Sequence, residues 1–334
     1  MRKMDPVEAF DTLYKLAIDG GSEQALFGGC APLAREALRH SPAACPFSFM
    51  WFEVPLLGPA RFDLHMSYSR DDLQGRISDP SLGEGRYADL FRWYAAADRG
   101  SNGLALAYDV GDGRIESPAV HMNVNDAPAA DMEGFFDHAA GEGAYAAYRG
   151  FEERLPDSWH VWYAGVHPGR TGSHLRVDCF VNDAAKQGYA ADFGLFERDL
   201  RSCGFRPAIP ALAELASPIL ESPFALELQF DVSRDGSVGD TIGVSATFPT
   251  GGSRVVRSLF QQGSAACGLL EKIEELGLAD DRWKHIASAS YAIAVDVDDG
   301  RLVLYCAPTF VKLRMRDGKP LDAKMYLQAA ASFL

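Results

Sequence analysis

The residues best suited to chemistry lie close together in one stretch, Phe47–Arg70, which reads FSFMWFEVPL, LGPA, RFDLHMSYSR. Its second half alternates Arg61, Asp63, His65 and Ser67 with Phe62, Leu64, Met66 and Tyr68. In its first half Trp51 and Glu53 share one face and Met50 and Phe52 the other. Side chains alternate across a strand, so two such runs about a Gly-Pro turn read as a β-hairpin with one apolar and one ionisable side. Glu53, Asp63 and His65 are groups that give and take protons near neutral pH when placed together. On a solvated sheet they are ordinary surface charges. Inside a closed sheet they are a site.

The rest of the chain must decide which of these holds. A length of 334 residues suits either two domains or one large one. Hydrophobic content of 47% and charged content of 23% belong to a globular protein. No apolar run approaches the roughly 20 residues that cross a bilayer, and the start, MRKMDPVEAFDTLYKLAIDGG, lacks an apolar signal core. The expected location is the cytoplasm, with no membrane partner. A net charge of -14 argues against nucleic acid, whose phosphates need a basic surface. The six cysteines are scattered without a CxxC pair, which argues against a zinc site or a disulfide framework.

Helical spacing is expected over Val7–Ile18 and Pro32–Arg39, then over Gly83–Ala97, Asp131–Leu155, Ala184–Cys203 and Ala265–Leu278. Between these lie extended pairs: the opening hairpin, Gly103–Val110 with Pro118–Val124, Trp159–Val166 with His174–Val181, Phe224–Val232 with Asp240–Phe248, and Ser290–Val297 with Arg301–Pro308. Five pairs recur with a period of about 60 residues. Antiparallel sheets of about ten strands tend to curl, split or close. The helices have apolar stripes to bury, so the apolar strand faces should lie outside against them and the polar faces should line a lumen. The expected architecture is α+β, a ten-stranded antiparallel barrel of five αββα units inside a ring of helices. It would be a single domain, with N-terminal helices in 1–40, hairpin pairs over 47–310 and a closing segment over 311–334. Two separate α+β domains with solvated polar faces are the alternative. In the barrel, Glu227, Gln229 and Asp231 share the polar face of their strand.

This architecture, together with short strings, resembles the ABBA-type prenyltransferases. Asp63 in RFDLHMS matches the Asp of the second strand in the soluble aromatic prenyltransferases of bacterial secondary metabolism. SASYAIAVDVDDGRLVLYCAP is similar to the closing hairpin, and Lys324 in DAKMYLQ to the Lys of the C-terminal strand. Glu53 in WFEVPL matches a first-strand Glu in the enzymes that modify ribosomal peptides. The resemblance implies transfer of a prenyl group, inside the barrel, from a prenyl diphosphate to a small aromatic molecule or an aromatic side chain of a precursor peptide. In that picture Arg61, Arg176, Lys312 and Lys324 hold the diphosphate, where preorganised cations stabilise the leaving group. Trp51 and Tyr326 screen the allylic cation, Glu53 accepts the proton lost on rearomatisation, and Asp63 holds a Mg²⁺ bridging to the diphosphate. Asp178, Glu227 and Gln229 complete the substrate-binding wall.

Two departures accompany the resemblance. Thr241 stands where the family brings a basic residue, and the lumen carries Glu53, Asp63, Asp178, Glu227 and Asp231 against about four cations. An acidic lumen with Glu53, Asp63 and His65 also suits proton-transfer chemistry without a prenyl donor, such as an isomerase, epimerase or cyclase of a peptide or natural product. A ligand-binding module is the non-enzymatic reading. His65, His121 and His160 all fall on strands and are a weaker metal-binding set.

Overall fold

A computed structural model describes residues 6–18, 21–39, 50–68, 86–96, 103–125, 127–167, 175–206, 208–249, 253–297 and 300–333. The outer parts of the 47–70 stretch and the connections 168–174 and 298–299 lie outside them.

The chain opens with helices α1 (Pro6–Ile18) and α2 (Ala31–Arg39). The first strand pair is β1 (Met50–Pro55) and β2 (Asp63–Tyr68), and α3 (Arg86–Ala96) follows it. The second is β3 (Leu104–Asp109) and β4 (Arg114–Asn123), followed by α4 (Ala129–Ala139) and α5 (Ala144–Glu152). The third is β5 (Trp159–Val166) and β6 (Leu175–Val181), followed by α6 (Asp183–Ala191), α7 (Phe193–Ser202) and α8 (Ile209–Leu220). The fourth is β7 (Ala225–Val232) and β8 (Val238–Thr247), followed by α9 (Ser253–Leu259), α10 (Ala265–Glu275) and the short α11 (Ile286–Ala289). The chain ends with β9 (Tyr291–Val297), β10 (Gly300–Arg316) and β11 (Lys319–Phe333).

Each strand pairs antiparallel with the next from β1 to β8; β8 pairs with β10, β10 with β11, and β11 with β1. That closes a ten-stranded antiparallel barrel with helices around it, as the alternation requires. Its outward faces are apolar and fully covered: Met50, Phe52 and Val54 on β1, Leu226, Leu228 and Phe230 on β7, and Ile242, Val244 and Ala246 on β8 are each 0% exposed. Phe52 and Phe62 meet Phe10 and Tyr14 of α1 and Phe27 in one aromatic cluster, with centroids 5.2–6.2 Å apart. Each ring buried there contributes about 1.5–3 kcal/mol.

Two helices expected as single units are broken. Gly141 and Gly143 adopt φ of 86° and 83°, conformations that glycine adopts without strain, and these separate α4 from α5. Asp192 leaves the helical region and accepts from the Gly194 N–H, capping α7 as α6 ends. The helix α8 carries Pro218 in its interior and was not expected.

The barrel closes one strand later than the hairpin pattern suggests. Ser290–Val297 and Arg301–Pro308 do pair, but β9 lies outside the ring, against the first half of β10. The ring itself uses Phe310–Arg316, which pairs with β8, and β11. Pro308 reads as a stop in sequence. In the fold it sits where β10 passes from β9 to β8, opposite neither of them, so its missing N–H breaks no bond to either strand.

Candidate active site

The inward faces of the strands bring the ionisable residues of distant segments into one lumen. Antiparallel register sets Glu53 opposite both Asp63 and Tyr326, Lys312 opposite Lys324, Arg314 opposite Asp322, and Phe310 opposite Tyr326. The polar face of the first hairpin therefore points into the barrel.

Glu53 is the hub of one cluster. It accepts a hydrogen bond from the Lys324 ammonium, and its Oε2 lies 3.2 Å from His65 Nε2. Burial alone would raise the Glu53 pKa, but Lys324 and His65 outweigh burial and hold it well below the usual carboxylate range. A carboxylate held in this way is a weak base, which counts against the role expected for Glu53. Asp63 accepts the Gly111 N–H at 2.9 Å and faces Lys324 at 3.7 Å. Burial, followed by the Glu53 charge, pushes its pKa up. Both oxygens of Asp63 thus already face donors, and the described residues hold no group of three or more candidate metal ligands. These residues do not fit the Mg²⁺ expected at Asp63.

The second cluster centres on Asp178, which accepts from Gln229 Nε2 at 2.6 Å and lies 4.0 Å from Lys312 Nζ. Glu227 is hydrogen-bonded to Asp178; burial and then the Asp178 charge push its pKa up to about 8. Glu227 therefore retains its proton at neutral pH, and the lumen is less acidic than the residue count implies. Tyr163, which the sequence reading missed, lies opposite Asp178 on β5.

Four cations gather on the β6, β10 and β11 wall. Arg176 donates to Asp231 at 3.0 Å, and Arg314 holds Asp322 through Nε at 2.7 Å and through a second bond. Burial opposes the charge on both, yet the facing carboxylates leave both pKa values raised. Each guanidinium is close enough to influence the Tyr326 hydroxyl, which burial and the Glu53 charge keep protonated. Lys312 Nζ lies 5.1 Å from the Tyr326 ring centroid and 5.5 Å from that of Phe310. These two rings stack at 4.0 Å with an interplanar angle of 19°. Tyr326 thus packs between the Lys312 ammonium and the Phe310 ring.

Trp51 and Arg61 are half-buried, Trp51 opposite His65 across the β1–β2 pairing. Arg61 packs against Gly111, where an added Cβ would lie 2.8 Å from its Cδ. Thr241 accepts from Nε of Arg316, an exposed residue of the neighbouring strand β10, at 3.0 Å. His65 and His121 stack at 6.2 Å, whereas His160 lies apart on Phe180 at 5.7 Å. The three histidines do not form a metal centre. Arg314, Arg316, Asp322 and Phe310 escaped the sequence reading, although Phe310, Lys312, Arg314 and Arg316 recur at the two-residue period that marks one strand face.

No family model matches the sequence, and no curated protein matches it. Among solved structures the chain is similar to the prenyltransferase PriB. Against its apo form the TM-score is 0.56 at 12% identity, covering 96% of each chain. Against its binary complex with product diphosphate the TM-score is 0.54 at 14% identity, covering 96% of this chain and 95% of that one. Against its ternary complex with L-tryptophan and dimethylallyl thiolodiphosphate it is 0.53 at 12% identity, covering 96% of each. At such identities the likeness concerns the fold alone: a closed ten-stranded barrel ringed by helices, the fold of the ABBA-type prenyltransferases.

Proposed function

We propose that this protein transfers a prenyl group from a prenyl diphosphate to an aromatic acceptor bound in the lumen. The observation that carries this reading is the gathering of Arg176, Lys312, Arg314 and Lys324 about the Phe310–Tyr326 stack. The PriB complexes with an aromatic amino acid, a donor analogue and product diphosphate support it. In the reaction the allylic C–O bond breaks and diphosphate leaves with the electron pair. Cations fixed in advance stabilise that charge without reorganisation. The carboxylates of Asp231, Asp322 and Glu53 hold three of these cations in place. Lys312 stands 4.0 Å from Asp178, beyond hydrogen-bond reach, and is the least committed of the four. The aromatic faces of Tyr326 and Phe310 shield the allylic cation, and the acceptor ring attacks it, forming a C–C bond and then losing a proton. The acceptor is either a small aromatic metabolite or an aromatic side chain of a ribosomal precursor peptide.

A second reading is favoured by one observation: each of these cations already faces a carboxylate. The lumen would then do acid–base chemistry without a prenyl donor, isomerising, epimerising or cyclising a peptide or natural product. Calorimetric titration with dimethylallyl and geranyl thiolodiphosphate, on wild type and Lys312→Ala, separates the two. Saturable binding that weakens in the variant supports prenyl transfer. No binding of either analogue overturns it in favour of proton transfer.

A further inference from the structure

The wall from β2 to β5 is built differently from the charged wall. The lumen face of β3 carries only Ala105 and Ala107 over its central turns, set opposite His121 and His65 respectively. Side chains this small let the imidazoles of the two flanking strands lean over β3, where their planes lie 16° apart at a centroid distance of 6.2 Å. On the other side His121 faces Gly165 of β5. A Cβ at Gly165 would lie 2.3 Å from His121 Nδ1, so the ring rests on bare backbone. Beyond it, His167 meets His121 edge-on at 5.5 Å and 86°. At the inner end His65 Nε2 is 3.2 Å from the Glu53 carboxylate, and Tyr326 lies edge-on to His65 at 5.8 Å. Three alanine or glycine positions on two strands thus clear a continuous line from Glu53 to the end of β5.

We propose that Glu53, His65, His121 and His167 form a proton-transfer row, in which His65 takes the proton released by the bound substrate and the outer histidines pass it towards the barrel end. The contact with Glu53 places the His65 hydrogen on Nε2 and leaves Nδ1 as the acceptor, because a carboxylate orders its imidazole partner in this way. In the transfer reaction, on whose reading the substrate step rests, the C–H bond at the attacked ring carbon breaks. Its electron pair restores the aromatic ring, and the proton forms an N–H bond at His65 Nδ1. Glu53, itself a weak base, is a positioning residue that stabilises the imidazolium. His65 and His121 stack nearly face to face, with their nitrogens in the ring planes, so a proton passes between them only through a bridging water, and His167, 8% exposed, is the last residue of the row. The titratable and charged groups sharing the lumen with the row are Glu53 on β1, Arg61 just before β2, Asp63 on β2, Asp109 on β3, Tyr163 on β5, and Lys324 and Tyr326 on β11, together with the Asp178–Glu227–Lys312 cluster and the Arg176–Asp231 and Arg314–Asp322 pairs.

The test uses the full chain labelled with ¹⁵N-histidine, without donor or acceptor, followed by NMR across pH. The neutral form of His65 is expected as the Nε2–H tautomer. Because linked sites titrate together, His121→Asn should shift the midpoints of both His65 and His167, which do not stack on each other. An Nδ1–H tautomer at His65, or unchanged midpoints for both neighbours, overturns the row. If His121→Asn does not fold, His167→Asn at the barrel end makes the same test through His121. Neither measurement needs prenyl transfer, so failure of the transferase reading shows separately as absent thiolodiphosphate binding. Where turnover is found, His65→Asn should lower kcat by about 10²–10⁴-fold; an unchanged kcat removes His65 from the chemistry.

Discussion

Lys324 of β11 reaches the Glu53 carboxylate of β1 inside the barrel, with the two side chains 11% and 10% exposed. Removing one member of a buried ion pair strands the other charge, at a cost of about 3–5 kcal/mol, whereas replacing both with apolar groups is often near neutral. Glu53→Ala should therefore lower the urea midpoint sharply, and Glu53→Leu with Lys324→Met should recover most of the loss. The pair also sets a pH dependence. The folded pKa of Glu53 is depressed, so its contribution is present above the unfolded value of about 4.3 and is lost as pH falls through the folded one. Glu53→Gln should flatten that part of the acid limb in chemical unfolding followed from pH 7 downwards.

Glu227 predicts the opposite slope. Its folded pKa of about 8 lies above the unfolded carboxyl value, so a proton kept by the native state is lost by the unfolded one. Stability should fall as pH rises from about 4.3 to about 8. Glu227→Gln should remove this decline and raise Tm at pH 8. An unchanged slope in Tm against pH would assign the decline to other groups.

Arg314 holds Asp322 in a two-bond fork, and the spacing that puts Lys312 on the same face puts both beside Tyr326. A charge-assisted hydrogen bond contributes about 1.5–3 kcal/mol. Arg314→Gln should thus weaken thiolodiphosphate binding by about 10- to 100-fold, and Arg314→Lys, which keeps the charge but not the fork, should fall between. Equal affinities in isothermal calorimetry would remove Arg314 from the anion site.

Gly28 tests the support of the first hairpin. It adopts φ of 56°, and an added Cβ would lie 2.0 Å from the Ala60 carbonyl oxygen, ahead of Arg61 and Asp63. Neighbouring Gly29 has nothing within 4 Å of the same position. Gly28→Ala should destabilise by about 3 kcal/mol or more through strain and backbone displacement. Gly29→Ala should stay within about 0.5 kcal/mol of wild type, as surface changes usually do. Thermal unfolding of the two variants side by side makes the comparison.

Much of this protein is fixed by local pattern. The two-residue alternation of Phe62 through Ser67, and of Phe224 through Asp231, determines which side chains face the helices and which face inward, because a one-residue slip would reverse every one of them. Five strand pairs with apolar outer faces leave few arrangements besides a covered barrel. Local pattern could not say that β10 runs on past Pro308, since proline stops a strand only where its N–H is needed, and that depends on which strand lies alongside. Nor could it say which charge meets which. Glu53 and Lys324 are 271 residues apart, and a free Glu53 would be a better base than one already held by an ammonium. Ala105, Ala107 and Gly165 look unremarkable in sequence; across the sheet, their missing side chains are what bring His65, His121 and His167 into line. The sequence by itself determined the faces, because periodicity is local. The tertiary structure decided the partners, because ionisation and contact depend on register between strands that the chain joins only at a distance.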